Sequence, residues 1–270
     1  MESNDPDVPL PLLTAIIPNY KTPELTKICL SLLHRNSNLS KLKVIVVDND
    51  SCDESVPYLE SLEWITLIKR KDVGSESGPE MHVKALDIAV QEVETPFFMV
   101  MHTDTFMIDD RWLDYLIGEF DNESVAGVGS WKLEAPPGAL KKFFQQVEGV
   151  FRILRGKKNR KTAEKPLFLR SHCAVYRTDL FKKYTKGFND FGTAGEAVHH
   201  KLVAAGFEMK FLGSGELGKY VRHLNHATMI LNPRPGDRKT SRRSARKRIA
   251  KELGFSGYQE LIADKRETAK

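Results

Sequence analysis

Short apolar segments alternate with helix-like segments through the first hundred residues, and this alternation restricts the fold more than any other feature of the sequence. Four apolar runs have the length of buried strands, at residues 12–18, 43–47, 65–69 and 96–101. Three segments between them carry apolar side chains at helical spacing, at residues 23–35, 56–62 and 80–93. Because a crossover helix joins parallel strands, the order predicts an α/β fold with a mostly parallel sheet and helices on both faces.

The second half of the chain has a less regular pattern. Strands are predicted at residues 126–131, 168–177, 209–212 and 220–226. Helices are predicted at residues 109–120, 139–155, 178–184, 195–205, 240–253 and 256–264. In the earlier helix at 80–93, the spacing predicts that Met81, Ala85, Ile88 and Ala89 face the core.

Charge divides the chain into a near-neutral body and a basic tail. Residues 232–270 hold 12 lysines and arginines against 5 acidic residues, whereas the preceding 231 residues hold 29 against 31. A basic tail is typical of anionic partners such as a membrane surface or nucleic acid, and equally of solvated helices that pack on the body. The longest apolar run, residues 97–101, is far too short to span a membrane. With three cysteines and no visible signal peptide, we expect a cytoplasmic protein.

Ligands of open parallel sheets bind outside the carboxyl ends of the strands, so polar residues that follow the apolar runs are the site candidates. These residues are Asn19, Tyr20, Asp48, Asn49, Asp50, Asp72, Gly74, His102, Thr103 and Asp104. A carboxylate such as Asp48 suits a nucleobase N–H or a ribose hydroxyl, although the same residues also favour a simple turn. His102 and Asp104 form half of a Mn²⁺ or Mg²⁺ site that would neutralise a diphosphate, or else Asp104 caps a helix beside an unrelated histidine.

Two later segments add candidates. In residues 220–228, His223 follows an apolar strand, and strand geometry sends the side chain of His226 to the opposite face. In residues 192–202, a glycine-rich loop leads to Glu196, which is either favoured by the helix dipole or presented as a general base. The sequence lacks the glycine motif of dinucleotide-binding oxidoreductases, the phosphate-binding loop of nucleotide triphosphatases and the nucleophile elbow of α/β-hydrolases.

Taken together, these motifs resemble the family 2 glycosyltransferases of the GT-A fold. The resemblance rests on AIIPNYK (residues 15–21), VIVVDNDSCDES (residues 44–55), the glycine loop after Asp72 and FFMVMHTDTFMIDDRWL (residues 97–113). RSHCAVYRTDLF (residues 170–181) is similar to an acceptor-side segment, and VRHLNHAT (residues 221–228) to a late histidine-containing segment. The resemblance covers residues 14–231. It implies a GT-A domain at 1–231, divided near residue 104 into nucleotide and acceptor halves, followed by a basic helical tail at 232–270.

The resemblance also implies roles for the candidate residues. Asn19, Tyr20, Asn49, Asp50, Asp72, Gly74 and Thr103 would line the nucleotide-sugar pocket, and Asp48 would pair with the base. Asp104 would be the metal-binding carboxylate, with His102 as a second metal ligand and His223 as the third ligand or a contact of the diphosphate. The family's acidic base pair has no exact counterpart, so Glu196 is the first choice for the base and Asp190 the second.

The implied activity is metal-assisted, inverting transfer of a sugar from a nucleotide-diphosphate donor, most readily of the UDP or dTDP type. The acceptor would be a hydroxyl of a glycan or lipid-linked molecule, and an anionic membrane surface is a further expected partner. Histidine at position 102, where the family has aspartate, leaves Mn²⁺ or Mg²⁺ dependence open. Two alternatives remain: a sugar-nucleotide-binding homologue with weak activity, and a nucleic-acid-binding protein that uses the basic tail.

Overall fold

The computed structural model describes residues 11–131, 133, 167–189, 194–225, 227–232 and 242–263. The strands are β1 Leu13–Asn19, β2 Leu42–Asn49, β3 Thr66–Arg70, β4 Phe97–Met101, β5 Thr105–Met107, β6 Val125–Gly129, β7 Cys173–Arg177, β8 Glu208–Phe211 and β9 Val221–His223. The helices are α1 Pro23–Arg35, α2 Ser55–Glu60, α3 Gly78–Gln91, α4 Trp112–Gly118, α5 Thr178–Tyr184, α6 Glu196–Ala204, α7 Ser214–Leu217, α8 Ala227–Leu231, α9 Arg242–Leu253 and α10 Ser256–Ala263.

Seven strands form the central sheet in the order β3-β2-β1-β4-β7-β6-β8. The pairs β1–β2, β2–β3, β1–β4 and β6–β8 are parallel, as the alternation of strands and helices predicted. Strand β7 runs antiparallel to both β4 and β6, so the sheet is mixed at its centre. The predicted α/β class with a mostly parallel sheet is confirmed.

The alternation of side chains along the strands gives the sheet two apolar faces. On β4, Phe97, Met99 and Met101 belong to one buried cluster, while Phe98 and Val100 belong to the other. Helix α1 covers the first face and helix α3 the second. Since successive strand residues point to opposite faces, continuous apolar runs are what a sheet covered on both sides requires.

Several local predictions differ from the structure. The strand predicted at 220–226 is limited to Val221–His223. Ile88 was predicted to face the core, but its exposed fraction is 40% because it lies on the outer side of α3. The strand predicted at 168–177 begins only at Cys173, since residues 170–173 form a turn in which the Cys173 N–H donates to the Arg170 carbonyl. The helix predicted at 109–120 is limited to Trp112–Gly118. The helix predicted at 139–155 lies outside the described residues.

Both described helices of the basic tail pack against the body. Ile249 and Leu253 of α9, with Tyr258 and Leu261 of α10, are buried in the same cluster as α1. The ring of Tyr258 meets that of Phe106 at a centroid distance of 5.3 Å. These contacts make the tail helices part of the core, independently of any contact that their basic side chains make with an anionic partner. None of the helices that the structure describes is both long and apolar enough to cross a membrane.

The packing of α9 predicts a large effect of one tail substitution on stability. Ile249→Ala should lower the free energy of unfolding by about 2–5 kcal/mol, because it removes a fully buried side chain and leaves a cavity. Lys251→Ala, on the exposed side of the same helix, is the matched control and should change it by no more than about 0.5 kcal/mol. Urea unfolding of the full chain measures both values, and equal effects would contradict the packing role of α9.

Candidate functional site

Two chain segments that are distant in sequence meet at the carboxyl end of β4. Strand β4 ends at Met101, and His102 and Asp104 follow directly. Strand β9 then pairs antiparallel with β5, which sets His223 opposite Thr105. The Leu224 N–H donates to the Asp104 carbonyl at 2.9 Å and fixes this register. The small β5–β9 sheet therefore delivers His223 to the two residues that follow β4.

The three predicted metal ligands form one cluster. One ligand atom from each of His102, Asp104 and His223 lies within 4.8 Å of the others. Asp104 Oδ2 accepts the Ala227 N–H at 2.7 Å. Asp104 Oδ1 faces His223 Nε2 at 3.4 Å and His102 Nδ1 at 3.7 Å. The carboxylate thus has one oxygen fixed by the start of α8 and the other directed between two imidazoles.

Asp104 is almost completely buried, with 1% of its surface exposed. Burial alone raises its pKa, but the facing imidazoles of His102 and His223 outweigh that effect and hold the pKa well below the ordinary value. The side chain is therefore a carboxylate at neutral pH and contributes one full negative charge to the cluster.

The cluster fits a divalent ion by two criteria. Asp104 Oδ1 is a buried acceptor to which no described residue donates a well-formed hydrogen bond, so it has capacity for a ligand. Two imidazole nitrogens and a carboxylate oxygen form a donor set that suits first-row transition metals better than it suits Mg²⁺, which prefers oxygen ligands throughout.

Further histidines and serines surround the cluster, and the sequence analysis did not single them out. The His172 ring stacks on the His223 ring at a centroid distance of 4.7 Å, and His172 Nε2 lies 3.0 Å from Ser130 Oγ. Ser171 Oγ lies 3.1 Å from His102 Nε2 and 3.1 Å from His82 Nε2. Desolvation lowers the pKa of His82 to about 3 and that of His172 to about 2, so both rings are neutral at pH 7.

A pocket of about 150 Å³ opens beside these rings. Its lining residues include Pro79, His82, His102, Arg170, Ser171, His172, Ala194 and His223. The Arg170 guanidinium carbon lies 5.2 Å from the Trp131 ring centroid and 5.3 Å from that of Phe168. Aromatic contacts of this kind hold the guanidinium group in place while its charge faces the pocket region.

The residues predicted for the nucleotide pocket fall into a buried network and an exposed rim. Parallel pairing of β1 and β2 sets Asn19 beside Asp48. Asn19 Nδ2 donates to Asp48 Oδ1 at 2.7 Å and to Ser55 Oγ at 2.9 Å, while Asn19 Oδ1 accepts from Thr26 Oγ1 at 2.6 Å. Asp48 Oδ2 also accepts the Ser51 N–H at 3.0 Å. These bonds show a structural role for Asn19 and Asp48, and their nucleotide contacts stay a prediction.

The rim is formed by turns after β2 and β3. Asp50 and Asp72 adopt left-handed backbone conformations, with φ of 57° and 59°, and Gly74 is exposed. Aspartate tolerates this conformation better than most residues, which suits it to such turns. The predicted residues Asp50, Asp72 and Gly74 therefore lie where a ligand could reach them.

Arg70 stabilises the rim and was not predicted. One terminal nitrogen of Arg70, Nη2, donates to both carboxylate oxygens of Glu76, at 2.7 and 2.8 Å, and the two side chains are only 10% and 12% exposed. Its other terminal nitrogen donates to Asn49 Oδ1 at 2.6 Å. The pairing of β2 with β3 sets Arg70 opposite Asn49, and this explains why the Arg70 side chain contacts a residue predicted for the nucleotide pocket.

The remaining predicted residues have more local surroundings. Thr103 is buried and shares hydroxyl contacts with Thr22 and Thr228 at 3.3 Å each. Tyr20 is half-buried beside Lys21, whose Nζ lies 5.3 Å from the Tyr20 ring centroid. Glu196 begins α6, two residues after Ala194 of the pocket wall. Asp190 and His226 lie outside the described residues.

Comparison with known proteins identifies the family. A family model described as glycosyl transferase family 2 matches residues 14–185. No curated protein matches the chain. Among solved structures, the mannosyltransferase PcManGT from Pyrobaculum calidifontis, in complex with GDP-Man and Mn²⁺, is similar with a TM-score of 0.55 and 18% identity. The alignment covers 75% of this chain and 55% of that one.

The structure of S. aureus TarS 1–349 gives a TM-score of 0.49 and 17% identity, with 72% of this chain and 55% of that one covered. The chain spans about half the length of both solved structures. At these identities the likeness to PcManGT is one of fold.

The network around Asn19 predicts a stability effect that is separate from ligand binding. Asn19→Ala should lower the free energy of unfolding by about 1–3 kcal/mol, because it leaves buried acceptors and donors without their partner. Lys71→Ala, on the exposed rim and outside the left-handed positions, should change it by no more than about 0.5 kcal/mol. Chemical denaturation without nucleotide compares the two, and a neutral Asn19→Ala would contradict the structural role of the network.

Proposed function

We propose, from the premise that the chain belongs to glycosyl transferase family 2, that it transfers a sugar from a nucleotide-diphosphate donor to an acceptor hydroxyl. The observation that carries this proposal is the cluster of His102, Asp104 and His223 at the carboxyl end of β4. This is the edge of a parallel sheet at which ligands bind, and the cluster provides a charged carboxylate in a buried environment.

His102, Asp104 and His223 would hold a divalent ion at this edge. A bound ion supplies positive charge that stabilises the departing diphosphate. The donor set favours Mn²⁺ over Mg²⁺, because two of the three ligands are imidazoles. Arg170, which the aromatic rings of Trp131 and Phe168 hold beside the pocket, would add a second positive charge toward the anionic donor.

The reaction that we propose is a single displacement with inversion at the anomeric carbon. The acceptor oxygen forms a bond to that carbon while the bond from the carbon to the diphosphate oxygen breaks. Glu196 takes the proton of the acceptor hydroxyl, and Asp190 is the second candidate for this role. The position of Ala194 in the pocket wall supports Glu196, because it brings the start of α6 to the same pocket.

The nucleotide would lie over the ends of β1, β2 and β3. Asp50, Asp72 and Gly74 of the rim would contact the base and ribose, together with Tyr20, and Thr103 would lie beneath the diphosphate. Asp48 would pair with the base, Asn19 would hold Asp48 through their hydrogen bond, and Asn49 would lie close by, held by Arg70. A donor of the UDP or dTDP type remains our proposal, and the GDP-Man bound to PcManGT adds GDP-sugars to those worth testing.

The acceptor would be a glycan or a lipid-linked hydroxyl, and the site would work on the cytoplasmic face of an anionic membrane. Support for membrane contact comes from Arg243, Lys247 and Lys251, which are exposed on α9. Arg248 instead donates to the carbonyls of Leu224 and Asn225, so part of the basic charge stabilises the fold. We also propose the division into a catalytic unit at 1–231 and a tail at 232–270.

The metal cluster generates the central prediction. Asp104→Asn should abolish Mn²⁺-dependent sugar transfer or donor hydrolysis, because it removes the only negative charge of the three ligands. The assay uses a panel of UDP-, dTDP- and GDP-sugars with the full chain, with Mn²⁺, with Mg²⁺ and with EDTA. We expect activity with Mn²⁺, less with Mg²⁺ and none with EDTA.

Thermal unfolding with nucleotide separates the enzyme from its main alternative. A nucleoside diphosphate at a hundredfold excess over its Kd should stabilise the wild type by about 2.7 kcal/mol. Stabilisation without turnover of any donor would favour a sugar-nucleotide-binding homologue. If no nucleotide changes the unfolding temperature, the proposal that the chain has a donor site is wrong.

The proposed base gives a second prediction. Glu196→Gln should lower kcat by about 10²–10⁴-fold and leave the Kd for the donor unchanged, because glutamine keeps the size of the side chain and cannot accept the proton. Glu208→Gln, an exposed change on β8, is the control and should have wild-type kcat. A normal kcat in Glu196→Gln would move the role to Asp190, which Asp190→Asn then tests.

A further inference from the structure

The side of His102 that faces away from Asp104 is held by a hydroxyl bridge. His102 Nε2 lies 3.1 Å from Ser171 Oγ, and the same oxygen lies 3.1 Å from His82 Nε2. The His82 and His102 rings also meet edge to face, at a centroid distance of 4.8 Å and an interplanar angle of 86°. One serine thus joins the imidazole on α3 to the imidazole that follows β4.

We propose that Ser171, supported by His82, is a positioning residue that holds His102 with Nδ1 toward Asp104 and thereby sets the affinity of the cluster for a divalent transition metal. This inference rests on the proposed function, since it needs His102 to be a ligand.

The direction of the hydrogen bonds follows from the chemistry of the groups. A neutral imidazole has one N–H donor and one acceptor nitrogen, and it binds a metal only through the nitrogen that lacks the proton. For Nδ1 of His102 to be that nitrogen, its Nε2 must carry the proton and donate to Ser171 Oγ. The hydroxyl then has its own proton left, which it donates to His82 Nε2. Both bridges are satisfied by one arrangement of protons.

The elements that carry Ser171 and His82 are well fixed. Ser171 lies in the turn before β7, where the Cys173 N–H donates to the Arg170 carbonyl and Thr105 Oγ1 donates to the His172 carbonyl at 2.8 Å. His82 lies in the first turns of α3, whose start is secured by a capping box between Ser77 and Glu80. Because neither element depends on the metal, the bridge can orient His102 before an ion binds.

The neighbouring pair of Ser130 and His172 provides a natural comparison. Ser130 Oγ lies 3.0 Å from His172 Nε2, in the same group of rings, and this distance is close to the 3.1 Å from Ser171 Oγ to His102 Nε2. His172 is not one of the three clustered ligands, although its ring stacks on His223. Removing the Ser130 hydroxyl is therefore a control. It breaks a serine–histidine hydrogen bond in the same group of rings, but that histidine is not a proposed metal ligand.

The test is a titration of the full chain with Mn²⁺ in the absence of nucleotide, in which EPR measures free Mn²⁺. Ser171→Ala should weaken Mn²⁺ binding by about 10–100-fold, the usual effect of losing a partner that orients a metal ligand. Ser171→Thr keeps the hydroxyl and should restore most of the affinity. His82→Phe keeps the ring and removes the acceptor, so it should weaken binding less than Ser171→Ala. Ser130→Ala should leave the affinity close to that of the wild type.

Each outcome decides the proposal. Wild-type affinity in Ser171→Ala overturns it, and so does an equal loss in Ser130→Ala, because that result would show general loosening of the ring cluster. If Ser171→Ala does not fold, as thermal unfolding would reveal, His82→Phe decides in its place, and wild-type affinity in that variant overturns the proposal. Absence of Mn²⁺ binding in the wild type rejects the metal part of the proposed function together with this inference. Binding that Ser171→Ala leaves unchanged rejects the inference alone.

Discussion

The buried carboxylate of Asp104 is the constraint on which the arrangement of the site depends. A charge removed from water is costly unless it is compensated, and the compensation comes from elements that would otherwise have no reason to meet. The Ala227 N–H at the start of α8 holds one oxygen, and imidazoles from the end of β4 and from β9 face the other. The small β5–β9 sheet and the course of the chain after β9 are therefore tied to this one side chain.

The strands and helices of the first half follow from local sequence, whereas the direction of β7 does not. Runs such as residues 44–47 are apolar on both faces, which only a doubly covered strand tolerates, and the crossover helices then impose parallel pairing. Strand β7 has the same apolar character in Cys173–Arg177, but it lies antiparallel between β4 and β6. Strand composition does not encode that choice, because parallel and antiparallel strands bury similar side chains.

The structure brings together His102, Asp104 and His223, which the sequence singled out because each stands at the end of an apolar strand and matches a motif of the resembled family. Their role as metal ligands stays a prediction. His82, Ser171, His172 and Arg70 were not predicted, because their sequence positions do not indicate a site. In the sequence, for example, His82 is simply one polar residue of an amphipathic helix. They can be recognised as residues of the site only from tertiary contacts, such as the two 3.1 Å distances from Ser171 Oγ to His82 Nε2 and His102 Nε2. The available hint was the density of histidines near predicted strand ends, which indicates a site but not its connections.

Histidine at position 102 changes the charge of the site and not only its ligand type. With Asp104 as the only anionic ligand, a bound divalent ion leaves a net charge of about +1 on the cluster, whereas a second carboxylate would bring it to zero. The neutral His82 and His172 add nothing to this sum. In a buried site with a low effective dielectric constant, this residual charge would attract a diphosphate strongly. Histidine at position 102 would thus lower the affinity for the ion alone and raise the affinity of the ion-loaded site for the donor. On the proposed role of Ser171, the orientation of His102 would then matter more for holding the ion.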